Sequence, residues 1–222
     1  MSTYVLMKIL ESAPNRYDRG INILTFGRLN KVYDRLVSHI KKDQQVLDIG
    51  CGTGELTLKA ARKGAFVKGI DINPQMLEIA RRKINDAYVS DNVQLIEKGV
   101  AELGDENPGQ YDAVMSSLCF SELSEDELNY TLKMIWRILK HDGLLLIADE
   151  TNPEIFFKKI IVGMIRIPLT ILTYLLTQTT TKAITKLQER IVEAGFNIIS
   201  IRRSKLDDFI EIAAKKPKGD EK

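Results

Sequence analysis

Cysteine, histidine and tryptophan are scarce in this sequence of 222 residues, which holds only two, two and one of them. Cys51 and Cys119 stand far apart, so the sequence shows neither a disulfide framework nor a metal-binding spacing, which favours a reducing cytoplasm. The formal net charge of +2 argues against a broad nucleic-acid-binding face. With 44% hydrophobic and 28% charged residues, the composition predicts a globular protein with a real core.

A long uninterrupted hydrophobic run is also missing. The most apolar stretch, residues 160–176, is shorter than the roughly 20 residues of a spanning helix, and it contains Arg166 and Pro168. We therefore expect contact with a membrane surface at most, and the first residues show no secretory signal pattern. The length favours a single domain over 1–222, with an N-terminal helical segment (1–40) and an apolar cap insertion (151–190).

Strand-like and helix-like segments alternate along the chain. Short apolar runs bounded by turn residues predict strands at 45–50, 66–72, 93–98, 111–118, 141–150, 196–203 and 207–214. Amphipathic segments with capping residues predict helices at 54–63, 74–87, 124–139 and 180–194. This order predicts an α/β fold, a mostly parallel sheet with helices on both faces. The short link between the last two strands predicts a hairpin, and hence one antiparallel strand.

The glycine-rich segment VLDIGCGTGELTL (46–58) follows the first strand. Ligands of open α/β sheets bind beyond the carboxyl ends of the strands, so we expect this loop at the ligand site. Glycine lets a ligand approach the main chain, although it also serves in tight turns that bind nothing. A dinucleotide fingerprint would need glycine where Glu55 stands, and a phosphate loop would end in Gly-Lys-Ser/Thr. Glu55 would repel phosphate and tolerates a ligand with a positive centre.

Asp71 ends the second strand, and its distance from Gly50 matches a known spacing. An acidic residue about 20 positions after such a loop accepts hydrogen bonds from ribose hydroxyls. The alternative is an ordinary turn residue at a strand end. Together, the loop and Asp71 predict binding of a ribose.

These residues carry a family resemblance. The pattern Asp48-x-Gly50-x-Gly52-x-Gly54, followed by Asp71, resembles the nucleoside site of class I S-adenosylmethionine-dependent methyltransferases. YDAV (111–114) is similar to that family's fourth-strand motif. LKHDG (139–143) is similar to the turn before its fifth strand, with Asp142 in place of the first of two usual glycines. The resemblance covers most of the chain and implies a Rossmann-like, seven-stranded sheet whose last strand is antiparallel.

Within this family, the chain is most similar to the ubiquinone/menaquinone-type branch, which acts mostly on small molecules. The stretch YVLMKILESAPNRYDRGI (4–21) also resembles a smaller group, the corrinoid protein-associated methyltransferases. The resemblance implies S-adenosylmethionine as cofactor and S-adenosylhomocysteine as product. It implies a small-molecule acceptor, a lipophilic one included, or a corrinoid protein as partner.

The resemblance also implies a set of cofactor-binding residues. Glycines and Cys51 would line the methionine part, Asp71 would take the ribose, and Ser117 and Leu118 would face the amino-acid end and the methyl group. Ile72 and Met76 would pack on the adenine, or be plain core residues, and Tyr17 would cover the cofactor or only pack. The full set is Tyr17, Asp48, Gly50, Cys51, Gly52, Gly54, Asp71, Ile72, Met76, Val100, Ala101, Ser117 and Leu118.

One position departs from the family pattern. After the third strand the family often has Asp-Ala, whose Asp meets the adenine amino group, and this chain has Val100-Ala101. Valine cannot accept that hydrogen bond, which is worth roughly 0.5–1.5 kcal/mol. The backbone of Ala101 and the apolar side chain of Val100 could still contact the ring.

No catalytic base is evident in the sequence. His39 precedes the first strand and His141 lies in a turn, so we interpret both as surface residues. Glu122 could lie near the acceptor, or be a solvated residue at a helix entry. Cys119 is better explained as a small buried residue than as a nucleophile. The catalytic residues are therefore left unassigned, and methyl transfer needs no dedicated base if the acceptor is already anionic or soft.

The apolar segment 151–190 leaves three interpretations open: a cap packed on the sheet, a greasy acceptor channel, or a docking surface for a partner protein or membrane face. The sequence also leaves open a second function class, a cofactor-binding accessory protein of a corrinoid methyl-transfer system. A third class, NAD-dependent oxidoreductases, is disfavoured by the glycine spacing.

Overall fold

The computed structural model describes residue 18 and residues 27–151, 184, 186–205 and 207–218. Its strands are β1 (Gln45–Ile49), β2 (Phe66–Asp71), β3 (Val93–Glu97), β4 (Tyr111–Ser117), β5 (Leu139–Glu150), β6 (Asn197–Arg203) and β7 (Phe209–Lys215). Its helices are α1 (Arg28–Ser38), α2 (Glu55–Arg62), α3 (Pro74–Asp86), α4 (Glu125–Ile138) and α5 (Leu187–Glu193). Short 3-10 turns cover Ser90–Asn92, Val100–Asp105 and Phe120–Glu122.

The described strands form one seven-stranded sheet in the order β3-β2-β1-β4-β5-β7-β6. Strands β1 to β5 run parallel to one another, and β7 lies between β5 and β6, antiparallel to both. The predicted Rossmann-like, mostly parallel sheet with one antiparallel strand is thereby confirmed. Strand β1 pairs with β2 on one side and β4 on the other, so strand order reverses there. The carboxyl ends of β1 and β4 border the crevice where such folds bind ligands.

Alternating residues of the strands belong to two apolar clusters, which lie on opposite faces of the sheet. On β1, Leu47 and Ile49 belong to the cluster that contains residues of α4 and α5. Val46 belongs to the cluster formed with α1 and α2. All three side chains are fully buried. Helices therefore cover both faces, as the strand-helix alternation predicts, and the loops at the strand ends are held by a packed core.

Local capping signals set the beginnings of two helices. The side chain of Asn73 accepts hydrogen bonds from the amides of Gln75 and Met76, and Pro74 occupies the first position of α3. At α4, Ser124 and Glu127 form a reciprocal capping box. Both helix starts agree with the sequence prediction to within one residue.

Most predicted boundaries lie within two residues of the observed ones, and two of the differences have a clear structural cause. The helix predicted at 180–194 begins at Leu187, because Ile184 forms a bridge with Thr151 after β5. The fifth strand begins at Leu139, where it pairs with Tyr111, and a shift in register then pairs Ala113 with Leu144. Both differences come from pairing between distant segments, which periodicity does not report.

Much of the predicted cap at 151–190 and of the N-terminal segment at 1–40 lies outside the described residues. The described part of the N-terminal segment is α1 with its flanking residues and the isolated Asp18. In the described part of the chain, no helix has both the length and the apolarity needed to cross a membrane.

Candidate functional site

The loop after β1 is tied to the end of β2 through one carboxylate. Asp71 Oδ2 accepts a hydrogen bond from the amide of Gly52 at 2.8 Å, and its Oδ1 accepts from the amide of Asn73 at 2.8 Å. Gly52 has a φ of 53°, in the left-handed region, and a Cβ added there would meet no atom within 4 Å. Asp71 thus holds a loop whose middle glycine faces open space, as close approach of a ligand requires.

The neighbouring glycines allow close packing of the surrounding elements and do not face open space. A Cβ at Gly50 would lie 2.5 Å from Cys119 Sγ, and one at Gly54 would lie 2.8 Å from the Cβ of Ala80. Gly50 therefore lets the turn after β4 close over the loop, and Gly54 lets α2 approach α3. Only Gly52 of the three faces open space.

Asp48, a buried residue of β1, lies next to the glycine loop and binds α2. Its side chain is 1% exposed, and its carboxylate accepts a hydrogen bond of 2.5 Å from the hydroxyl of Thr57 on α2. Burial raises the pKa of Asp48 to about 7, which the Thr57 hydroxyl opposes. The structure places Asp48 beneath the loop, where it links β1 to α2.

Residues expected at the adenine end lie at the ends of β2 and β3. Ile72 is 75% exposed beside Asp71, whereas Met76 is buried with 3% exposure. Val100 and Ala101 begin the 3-10 turn after β3, and the Ala101 carbonyl accepts a hydrogen bond from the Tyr130 hydroxyl. An exposed isoleucine is uncommon at the end of a buried parallel strand and offers an apolar surface to a ligand. Met76 is buried, so packing on the adenine and a plain core role both stay predictions for it.

The end of β4 borders the same loop. The Ser117 hydroxyl is buried at the end of β4, beside the Tyr33 side chain. Leu118 is buried and has a φ of 56°, a strained left-handed conformation for a leucine. Strain of this kind concentrates at functional sites, where the surrounding structure maintains it. Both residues therefore remain candidates for ligand contact.

The two cysteines at this edge are unsuited to nucleophilic chemistry. Burial raises the pKa of the Cys51 thiol, and burial likewise raises the pKa of the Cys119 thiol. A neutral thiol is a poor nucleophile. Cys119 is partly buried and packs against Gly50, which fits a packing role.

Three residues that the sequence reasoning missed surround the site. Asp149, at the carboxyl end of β5, is fully buried and accepts hydrogen bonds from three backbone amides. Lys83 on α3 forms an ion pair with Asp18, and Asp18 in turn accepts a hydrogen bond from the hydroxyl of the loop residue Thr53. An acid at the end of an apolar strand, the signal that identifies Asp71, is also present at Asp149. Nothing in the sequence signals the contact with Asp18.

Other predicted residues lie elsewhere or cannot be placed. Tyr17 lies outside the described residues. His141 is exposed in the turn of β5 and His39 is half-buried before β1, so neither reaches the end of the sheet that carries the loop. Glu122 is exposed on the 3-10 turn after β4. Among the described residues, no group of three or more His, Cys, Asp or Glu side chains could hold a metal ion.

The seven-stranded sheet has the fold of a solved S-adenosylmethionine-dependent methyltransferase from Aquifex aeolicus, with a TM-score of 0.59 and 18% identity over 84% of this chain and 88% of that one. Residues 46–143 match the family model described as a methyltransferase domain. Among solved structures, a Burkholderia thailandensis 1,6-didemethyltoxoflavin-N1-methyltransferase with bound S-adenosylhomocysteine has a TM-score of 0.67 and 18% identity. That likeness covers 96% of this chain and 88% of that one.

Curated relatives carry methyltransferase names. YqeM of Bacillus subtilis (strain 168), provisionally named a methyltransferase, is 34% identical over 140 residues, 56% of this chain and 55% of that one. The ubiquinone/menaquinone biosynthesis C-methyltransferase UbiE of Proteus mirabilis (strain HI4320) is 30% identical over 155 residues, 67% of this chain and 60% of that one. The chain thus spans less than two thirds of the length of these relatives.

The fold by itself does not decide the reaction. The [4+2]-cyclase SpnF has a TM-score of 0.68 to this chain at 16% identity, with 85% of this chain and 81% of that one covered. Function must therefore be argued from the site and its contacts.

Proposed function

We propose that this protein is an S-adenosylmethionine-dependent methyltransferase that acts on a small-molecule acceptor. One observation carries the proposal: Asp71 holds the amide of Gly52 in an open, left-handed loop beside the exposed Ile72. A carboxylate can accept from several donors at once, and an acidic residue at this distance after such a loop takes ribose hydroxyls. The exposed isoleucine provides an apolar face for the attached base. The methyltransferase names of the relatives support the same activity.

The acidic residues around the loop suit a cofactor with a positive centre. Asp71 lies at the end of β2, Glu55 begins α2, and Asp18 contacts Thr53 within the loop. Lys83 faces Asp18 at 2.5 Å and Glu55 at 3.6 Å and offsets part of their charge. The remaining negative potential favours a sulfonium over a phosphate.

When bound, S-adenosylmethionine supplies the reactive methyl group: the acceptor's lone pair forms a bond to the methyl carbon while the sulfur–methyl bond breaks and its electron pair stays on sulfur. The loop and Asp71 would fix the nucleoside. Leu118 and the buried Ser117 hydroxyl would shape the methyl end. Orientation of the reacting atoms about 3–3.5 Å apart can contribute roughly 7–11 kcal/mol to the rate, so positioning is the main task of these residues.

A corrinoid protein is the second candidate acceptor or partner, with the protein acting as an enzyme or as an accessory of a corrinoid methyl-transfer system. Its support is the similarity of residues 4–21 to the corrinoid-associated group, and most of that stretch lies outside the described residues. A methyl-transfer assay with quinone precursors and with a corrinoid protein separates the candidates. Label from S-adenosylmethionine should appear in the small molecule, and label only in the corrinoid would favour the second candidate.

Binding calorimetry tests the cofactor assignment. We expect S-adenosylhomocysteine to bind and NADH not to bind. The variant D71N should weaken S-adenosylhomocysteine binding by roughly tenfold or more, because a neutral amide replaces a charged acceptor of two hydroxyls.

Asp112 provides the matched control. Its carboxylate also accepts from a backbone amide, Gln45 N at 2.8 Å, but it lies at the opposite end of the sheet, where β4 begins. D112N should therefore keep the wild-type affinity. Unchanged affinity in D71N, or NADH binding to the wild-type protein, would contradict the assignment.

A further inference from the structure

Asp149 is a buried carboxylate that accepts hydrogen bonds from three backbone amides and also interacts with the Ser121 side chain. It is 0% exposed at the carboxyl end of β5. Its Oδ2 accepts from Phe120 N at 2.8 Å and from Ser121 N at 3.3 Å, and its Oδ1 accepts from Glu150 N at 2.7 Å. Burying an ionisable group is costly, and it is usually retained where the bonds it makes are needed.

The residues that Asp149 holds form the turn after β4. Phe120, which begins the 3-10 helix there, is fully buried. Leu118, at the start of the turn, keeps its left-handed conformation and donates its amide to the Ala148 carbonyl at 2.9 Å. The turn is therefore anchored to β5 at two points, by Ala148 and by Asp149. Such over-determined anchoring can maintain a strained residue.

The same turn closes against the glycine loop. Cys119, between Leu118 and Phe120, occupies the space where a side chain at position 50 would lie, and its Sγ is 2.5 Å from a Cβ added at Gly50. A displacement of the turn would therefore move Cys119, which packs against the glycine loop at the candidate cofactor site. Asp149 is linked to Cys119 through the backbone amides of Phe120 and Ser121 that it binds.

We propose that Asp149 is a positioning residue: it holds the turn of residues 118–121 against Gly50 and so shapes the methyl-donor end of the site. This inference rests on the proposed function. Asp149 itself does not touch the ligand in this arrangement and acts through the backbone that it binds.

Calorimetry on the full chain tests the proposal with D149N, which keeps the size of the side chain. An amide can accept at one oxygen but presents an N–H group to one of the amides that Asp149 now accepts, so the turn should loosen. We expect S-adenosylhomocysteine to bind roughly tenfold more weakly at a temperature where thermal unfolding shows that the variant is folded. D112N, at the opposite end of the sheet, should bind it as the wild type does.

Each outcome separates the two proposals. Wild-type affinity in a folded D149N overturns the role of Asp149 and leaves the proposed function standing. An equal loss of affinity in D112N also overturns the role of Asp149. The loss of any partly buried charge would then be enough to explain the weaker binding. A wild-type protein that does not bind S-adenosylhomocysteine overturns the proposed function itself.

A second measurement needs no variant. Hydrogen exchange of the Phe120 and Ser121 amides should slow when S-adenosylhomocysteine binds, because a filled site restrains the turn that Asp149 holds. Exchange at the remote Gln45 amide, held by Asp112, should not change. Unaltered exchange at Phe120 and Ser121 in the saturated protein overturns the coupling, even if D149N fails to fold.

Discussion

The thiol of Cys119 fills the space that a side chain at Gly50 would need. A Cβ at position 50 would lie 2.5 Å from Cys119 Sγ and 2.6 Å from its Cβ, while the Cys119 Cα would be 3.9 Å away. The φ of Gly50 is also positive, at 68°. Two loops that are distant in sequence, after β1 and after β4, therefore meet at a point where only glycine fits on one side.

This contact predicts a coupled pair of substitutions. G50A should destabilise the protein by about 2–4 kcal/mol, because overpacking adds to the cost of a left-handed alanine. Combining it with C119G removes both clashing atoms, so the double variant should recover about 1–2 kcal/mol relative to the sum of the single variants. Urea unfolding of the four proteins in the cycle measures this coupling, and strict additivity would show that the two loops do not press on each other.

Gly52 and Gly109 form a matched pair for testing the openness of the loop. Both have positive φ, 53° and 64°, and a Cβ added at either meets no atom within 4 Å. G52A and G109A should each cost about 1–2 kcal/mol of stability from backbone strain alone. Only G52A should also weaken S-adenosylhomocysteine binding in calorimetry, by roughly tenfold, because only Gly52 faces the proposed ligand. Equal affinities for the two variants would place the ligand elsewhere.

Lys83 links α3 to the cofactor loop. Its Nζ lies 2.5 Å from Asp18 Oδ2 and donates to Thr53 Oγ1 at 3.2 Å, while the Thr53 hydroxyl donates to the other Asp18 oxygen. In K83M, Asp18 loses its ion pair beside the loop, and we expect roughly threefold to tenfold weaker S-adenosylhomocysteine binding at low salt. Stability should change by less than about 1 kcal/mol, because Asp18 is partly exposed.

The neighbouring Arg82 is the control for this effect. It pairs with Glu78 one turn earlier on the same helix, at 3.2 Å and exposed to solvent. R82M should leave affinity unchanged, and added salt should reduce wild-type binding more than binding by K83M. If K83M and R82M bound equally well, the Asp18 contact would have no bearing on the site.

Glu106 is the centre of a buried ion cluster that ties the 3-10 turn after β3 to the sheet. Its carboxylate accepts from Lys68 at 2.8 Å, from Lys98 at 2.9 Å and from the Tyr111 hydroxyl at 2.7 Å. Burial alone would raise its pKa, but these three hydrogen bonds outweigh burial and lower the pKa of Glu106 to about 2. E106Q should cost about 3–5 kcal/mol at pH 7, since two lysines lose their buried partner.

The pH dependence follows from the sign of that shift. A carboxyl whose pKa is lower in the folded protein adds stability above its ordinary value near 4.5, and that stability is lost as the pH falls through about 2. The difference in unfolding free energy between wild type and E106Q should therefore shrink between pH 5 and pH 2. Urea unfolding at several pH values checks this, and a constant difference would contradict the assigned pKa.

Local signals were sufficient for most elements of the fold. The Asn73-Pro74 cap and the Ser124–Glu127 capping box act within four residues, so their helices begin where the sequence predicts. The glycine loop and Asp71 follow from spacing and from the rule that ligands bind at the carboxyl ends of parallel strands. The seven-stranded sheet was also predicted, whereas the cofactor contacts of the individual residues stay predictions.

The sequence by itself thus determined most of the strands, the starts of α2, α3 and α4 and the position of the glycine loop, because these depend on residues close together in the chain. Only the tertiary structure decided that Cys119 meets Gly50, that Asp149 holds the turn after β4, and that Met76 is buried while Ile72 is exposed. It also decided that α5 begins at Leu187, after the bridge between Ile184 and Thr151. Such contacts join segments that meet only when the sheet is assembled, and neither periodicity nor capping carries that information.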